Sequence, residues 1–105
     1  MLVMILEKVP SSLRGELTRW LLEVHTGVFI GDVSAMVRDR LWDKCSRRKS
    51  KGRVIQVWST NTEQGFDLRA EGLTDRQIMD YDGLKLIRVL RAPAGDAENP
   101  VLPED

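Results

Sequence analysis

Hydrophobic and polar positions divide the chain into short strands and two amphipathic helices. Residues 1–6 form an unbroken apolar run, MLVMIL, that ends at Glu7. A run apolar on both faces predicts a central strand. Pro10 stops it, and Ser11 or Ser12 is placed to cap a helix. Leu13, Leu17, Trp20, Leu21 and Val24 recur at helical spacing, which predicts one amphipathic helix closed by Gly27. Gly15, in its first turn, lowers helix propensity and leaves room for another backbone or a phosphate.

The stretch from Gly27 to Cys45 organises the rest. Val28, Phe29 and Ile30 lie between two glycines and predict a short strand. Asp32 or Ser34 then caps a helix whose Val33, Met36, Val37, Leu41 and Cys45 share one face. Residues 46–52 are a polar basic loop, and VIQVWST at 54–60 is the next strand. NTEQG at 61–65 has turn chemistry, so 66–68 returns as a hairpin. Residues 72–83 read as irregular or as a short helical turn, and LKLIRVL at 84–90 as a strand with one wet face. The order β-α-β-α-β-β-β fits no doubly wound sheet. It predicts an α+β fold, a ferredoxin-like βαββαβ core with extra C-terminal strands and both helices on one sheet face. The other face must also be hidden, and a second copy of the chain hides it most simply, so a symmetric homodimer is expected.

Bulk composition changes this picture little. With 105 residues, 42% hydrophobic and 30% charged, the chain is an ordinary globular protein of zero formal net charge. Charge distribution says more. Residues 38–53 carry eight basic side chains against two acids, whereas residues 92–105 carry four acids, three prolines and no Lys or Arg. The expected organisation is a folded domain over 1–91 and an acidic extended tail over 92–105. The opening apolar run is too short for a signal peptide or a membrane span, so a cytoplasmic protein without a membrane partner is expected. A lone His and a lone Cys exclude a zinc site of the usual ligand count. Cys45, on the apolar helix face, reads as a buried thiol, and Trp20, Trp42 and Trp58 as core or near-core residues.

Two features could carry chemistry. Glu7 closes the first strand. Two such carboxylates facing each other across a dimer axis could hold Mg²⁺ and activate water for phosphodiester cleavage. The plainer reading is the solvated end of a strand. The second feature is cationic. Lys8, Arg14 and the 38–53 cluster, including Arg38 and Arg40, match what binding a phosphate backbone needs. The plainer reading there is a solvated helix face and loop.

The motifs together resemble the type I-E form of the CRISPR-associated protein two family, a CRISPR-associated endoribonuclease family. The resemblance runs from residue 1 to about residue 90. It rests on the strand ending in Glu7 and on LRG and WLLEV within Val9–Val24. GVFIGDVSAMVRDRLW at 27–42, TNTE and GF within 58–66, and DGL within 80–86 complete it. It implies a ferredoxin-like homodimer that binds duplex DNA and bridges two dimers of an integrase, CRISPR-associated protein one, during spacer acquisition. It also implies an alternative activity, a Mg²⁺-dependent endonuclease acting on RNA or DNA, with Glu7 standing where many members have an Asp. By position, Arg14 and Arg76 match DNA-contacting arginines, while Ser12 stands where relatives can have a further arginine. Glu63 and Asp82 match acidic positions that face the basic integrase.

Overall fold

In this computed structural model, residues 1–48 and 52–90 are described. Lys49 and Lys51 of the basic loop, and the whole acidic tail, lie outside them. The described residues form two compact units, 1–73 and 74–90.

The first unit is a five-stranded antiparallel sheet with two helices packed on one face. Its elements are β1 (Leu2–Leu6), α1 (Ser11–Thr18), β2 (Leu22–His25), β3 (Val28–Gly31), α2 (Ala35–Ser46), β4 (Val54–Ser59) and β5 (Phe66–Glu71). The strand order is β2-β3-β1-β4-β5. The first six elements are thus βαββαβ with β1 central, the ferredoxin-like arrangement, and β5 extends one edge. Strand pleating sorts the residues. Leu2, Met4 and Leu6 of β1, Phe29 of β3 and Val54 of β4 point toward the helices and are buried with Leu17, Leu21, Leu41 and Cys45. Burial pushes the Cys45 thiol up to about 11, so it is an inert thiol at neutral pH. Val3, Ile5, Val28, Ile30, Ile55 and Val57 alternate with the buried set and line the opposite face. Among the described residues, no helix of this unit covers that face.

The first helix is shorter than its apolar spacing predicts. It ends at Thr18, and Leu22–His25 is an edge strand paired with β3 through a bulge at Glu23 and His25. Trp20, Leu22 and Val24 consequently stand 47, 66 and 51% exposed, and Trp20 is not a core residue. Gly27 does not end the helix. It sits at φ +78° in the β2–β3 turn, its carbonyl accepting the Leu6 N–H at 2.8 Å, and a Cβ there would strike the Leu6 carbonyl. Neither Ser11 nor Ser12 caps α1. Pro10 holds the cap position with no side-chain bond, since the helix already begins at Ser11. Ser34 does cap α2, its Oγ accepting the Val37 N–H at 3.3 Å. Met36, in the first turn of that helix, is 68% exposed and leaves the apolar face to Val37, Leu41 and Cys45.

The described part of the second unit is a hairpin of β6 (Arg76–Tyr81) and β7 (Leu84–Val89). Residues 76–81 are therefore a strand, not an irregular segment. Asp82 and Gly83 both adopt positive φ, +57° and +88°, as a tight two-residue hairpin turn requires. The Asp80 carboxylate accepts the Gly83 N–H at 3.2 Å. The alternation in β7 predicts one buried apolar face, and the strand has none: Leu84, Leu86, Ile87 and Val89 are all exposed.

Candidate nucleic-acid interface

Glu7 follows the last residue of β1, and its carboxylate is already engaged. Oε1 accepts the backbone N–H of Arg53 at 3.1 Å, and Oε2 lies 3.6 Å from the Arg53 Nε. The next residue, Lys8, takes φ +56°, and its carbonyl accepts the Arg48 guanidinium at 3.3 Å. Arg48 also donates to the Arg53 carbonyl at 3.3 Å. The end of β1 is thus tied from both sides to the basic segment that joins α2 to β4. Among the described residues no three acidic, His or Cys side chains converge on a common point. Within one chain, Glu7 is thus a single carboxylate held by the Arg53 cation and backbone.

Arg14 is placed on α1 with its Nε 3.0 and 3.2 Å from the two Glu23 carboxylate oxygens. Glu23 also accepts the Gly27 N–H at 3.0 Å. This hydrogen bond, followed by Arg14, holds the Glu23 carboxyl below its ordinary 4.5. A carboxylate with a depressed folded value stabilises the fold above the unfolded value and loses that contribution as pH falls. The expected result is an acid limb in thermal stability beginning below about pH 4.5, flattened in Glu23→Gln. Melting curves between pH 3 and 7, on the order of one per half unit, check it; an identical limb in the variant would refute it.

The cations of α2 and of the residues just after it fall in three places. Lys44 and Arg48 line an open groove of about 300 Å³ between the helices, together with Pro10, Ser12, Leu13 and Glu16. Lys44 Nζ pairs with Glu16 at 3.2 Å. Ser12 therefore has two basic neighbours supplied by α2 and the residues just after it. Arg40 is exposed on the outer side of the helix. Arg38 instead turns toward the sheet.

Around Arg38 the structure builds a closed ring of hydrogen bonds through four side chains and the Arg38 backbone carbonyl. Arg38 Nε donates to Asp39 Oδ1 at 3.1 Å, and Arg69 Nη2 donates to the same oxygen at 2.8 Å. Arg69 Nε donates to Gln56 Oε1 at 2.8 Å, and Gln56 Nε2 donates to the Arg38 carbonyl at 2.9 Å. Gln56 is fully buried, so both ends of its amide need these partners. The Arg38 guanidinium lies 4.3 Å from the Trp58 ring centre, and that of Arg69 lies 4.8 and 5.1 Å from Trp42 and Trp58. Arg69, foremost among these hydrogen bonds, holds the Asp39 carboxyl below its ordinary value. Sequence inspection missed Arg69 and Gln56. The available signal was the polar Gln56 amid the apolar run of β4, with an arginine opposite it once 54–59 and 66–71 are paired.

In the second unit, Arg76 opens β6, exposed, with its Nε 4.0 Å from Asp75 Oδ2. Asp82 is exposed in the β6–β7 turn, and Glu63 is exposed in the β4–β5 turn of the first unit. Lys8, Arg14 and Arg53 are thus brought to elements flanking the end of β1, whereas Arg38 and Arg69 form a separate group on the sheet's helix side.

The fold and these side chains define a small ferredoxin-like α+β protein with an arginine-rich second helix. Residues 1–86 match the family described as CRISPR-associated protein (Cas_Cas2CT1978), and the chain belongs to that family. Its role is therefore CRISPR-associated. Among the described residues, no helix is long and apolar enough to cross a membrane.

Proposed function

We propose that the protein is a spacer-acquisition scaffold of the type I-E kind: a homodimer that binds the backbone of duplex DNA and bridges two integrase dimers. The observation that favours a scaffold over a nuclease is the state of Glu7, whose carboxylate is spent on Arg53. The homodimer reading draws on the apolar sheet face that carries Val3, Ile5, Ile55 and Val57, which a second copy would remove from water. Duplex binding draws on Lys44 and Arg48 beside Ser12, and on Lys8, Arg14, Arg40 and Arg76. These cations neutralise phosphates without reading bases. The second reading, a Mg²⁺-dependent endonuclease of RNA or DNA, is favoured only if dimerisation brings two Glu7 carboxylates together.

Glu7→Gln separates the two. The amide oxygen can still accept the Arg53 N–H, so the fold is kept, but a neutral amide is a poor Mg²⁺ ligand. The expected outcome is spacer integration at the wild-type level in a reconstituted assay with the integrase, because the transesterification belongs to the partner. Any metal-dependent nuclease activity of the isolated protein should fall sharply. Loss of integration in this variant, with a normal melting curve, would overturn the scaffold reading.

A further inference from the structure

Two guanidinium groups share one carboxylate at the junction of α2, β4 and β5, which leaves one net positive charge on the group. A staple between helix and sheet would be complete with Arg69 alone, which already joins Gln56 of β4 to Asp39 of α2. Arg38 is nonetheless held in the same ring and stacked on Trp58. Of its donors Arg38 uses only Nε, and Arg69 uses Nε and Nη2. The other Nη groups have no hydrogen-bond partner among the described residues, and the two side chains keep 21 and 32% of their surface exposed. Ordering a long side chain costs rotamer entropy on binding, and here the ring and the indoles impose that order beforehand. Guanidinium forks with free Nη edges suit the tetrahedral oxygens of a phosphodiester.

We propose that Arg38 and Arg69, stacked on Trp42 and Trp58, form a preorganised phosphodiester-binding subsite, with Asp39 as the competing anion that tempers it. The subsite rests on the duplex-binding reading above and adds Arg69 to it. It sits on the helix side of the sheet, away from the end of β1.

The test is binding of a mixed-sequence DNA duplex, titrated from low to moderate salt, for the wild type, Asp39→Asn, Arg69→Lys and Arg69→Gln. Melting temperatures of all four accompany it. Asn keeps the Oδ1 acceptor but removes the competing charge, so Asp39→Asn should bind several-fold more tightly. Arg69→Gln should reduce the slope of log affinity against log salt by about 0.9, one phosphate contact. Arg69→Lys should keep the slope and bind more weakly. If the wild type shows the salt-dependent binding while Asp39→Asn and Arg69→Gln match it in affinity and slope, the ring is a staple only. The subsite is then refuted and the duplex reading stands. If the wild type itself shows no salt-dependent binding, the duplex reading fails and the subsite with it. Should Arg69→Gln not fold, Asp39→Asn alone decides, since its geometry is conserved.

Discussion

Glu63→Arg/Asp82→Arg is expected to elute as an unchanged dimer and to lose co-elution with the integrase. Both side chains are exposed and lie in turns, Glu63 between β4 and β5 and Asp82 between β6 and β7. Neither belongs to the apolar sheet face assigned to the homodimer, so that association should persist. The proposed partner surface is basic. Reversing two charges against it replaces attraction by like-charge contact, an effect of several kcal/mol and hence a loss of orders of magnitude in affinity. Leu84, Leu86 and Ile87 of β7 are exposed, and the proposed contact by the second unit would cover them. Asp82 needs a control of its own. It holds φ +57°, which Asp and Asn tolerate better than Arg, so Asp82→Asn removes the charge with less backbone strain. Size-exclusion chromatography of the variants, alone and mixed with the integrase, is the measurement. Unchanged co-elution of the double variant would move the contact elsewhere, with the acidic residues 96–105 as the next candidate.

Phe29→Ala should cost about 3–5 kcal/mol of unfolding free energy, through lost transfer energy and the cavity left behind. Phe29 is 0% exposed, faces Met4 across the β1–β3 pair and packs in the same cluster as Leu17 and Leu41. Both helices and the central strand meet at this cluster, so no single element can collapse to fill it. Small domains carry only about 5–15 kcal/mol in total, so the variant should be close to unfolding at physiological temperature. Each kcal/mol moves the melting temperature by roughly 4–8 °C for a domain of this size. Met36→Ala, at a site 68% exposed, should stay within about 0.5 kcal/mol of the wild type and serves as the comparison. A Phe29→Ala melting point within a few degrees of the wild type would show that the core closes elsewhere.

Much of the candidate site was legible in the residues. The cation cluster, Glu7 at a strand end and a helix capped by Asp32 or Ser34 are local features, and local spacing reports them; the structure selects Ser34. The hairpin at 76–89 carried a signal too. Asp82-Gly83 between two apolar stretches is the strongest short-range mark of a two-residue turn, yet the polar residues 74–77 obscured the first strand. The engaged state of Glu7 was not legible, because its partner Arg53 lies 46 residues away.

What the sequence determined by itself was β1 as a central strand, α2 with a cap at Asp32 or Ser34, β4, the α+β class and the position of the charges along the chain. Each arises from side-chain periodicity or a cap within a few residues. Tertiary structure decided the rest. Residues 22–25 fit a helical apolar period, and only the hydrogen bonds offered by β3 make them a strand. The Arg38–Asp39–Gln56–Arg69 ring depends on pairing β4 with β5 and laying α2 across them, which brings Asp39 and Arg69 together over 30 residues of chain. Periodicity describes which face a residue takes, but hydrogen bonds between distant segments decide what it meets there.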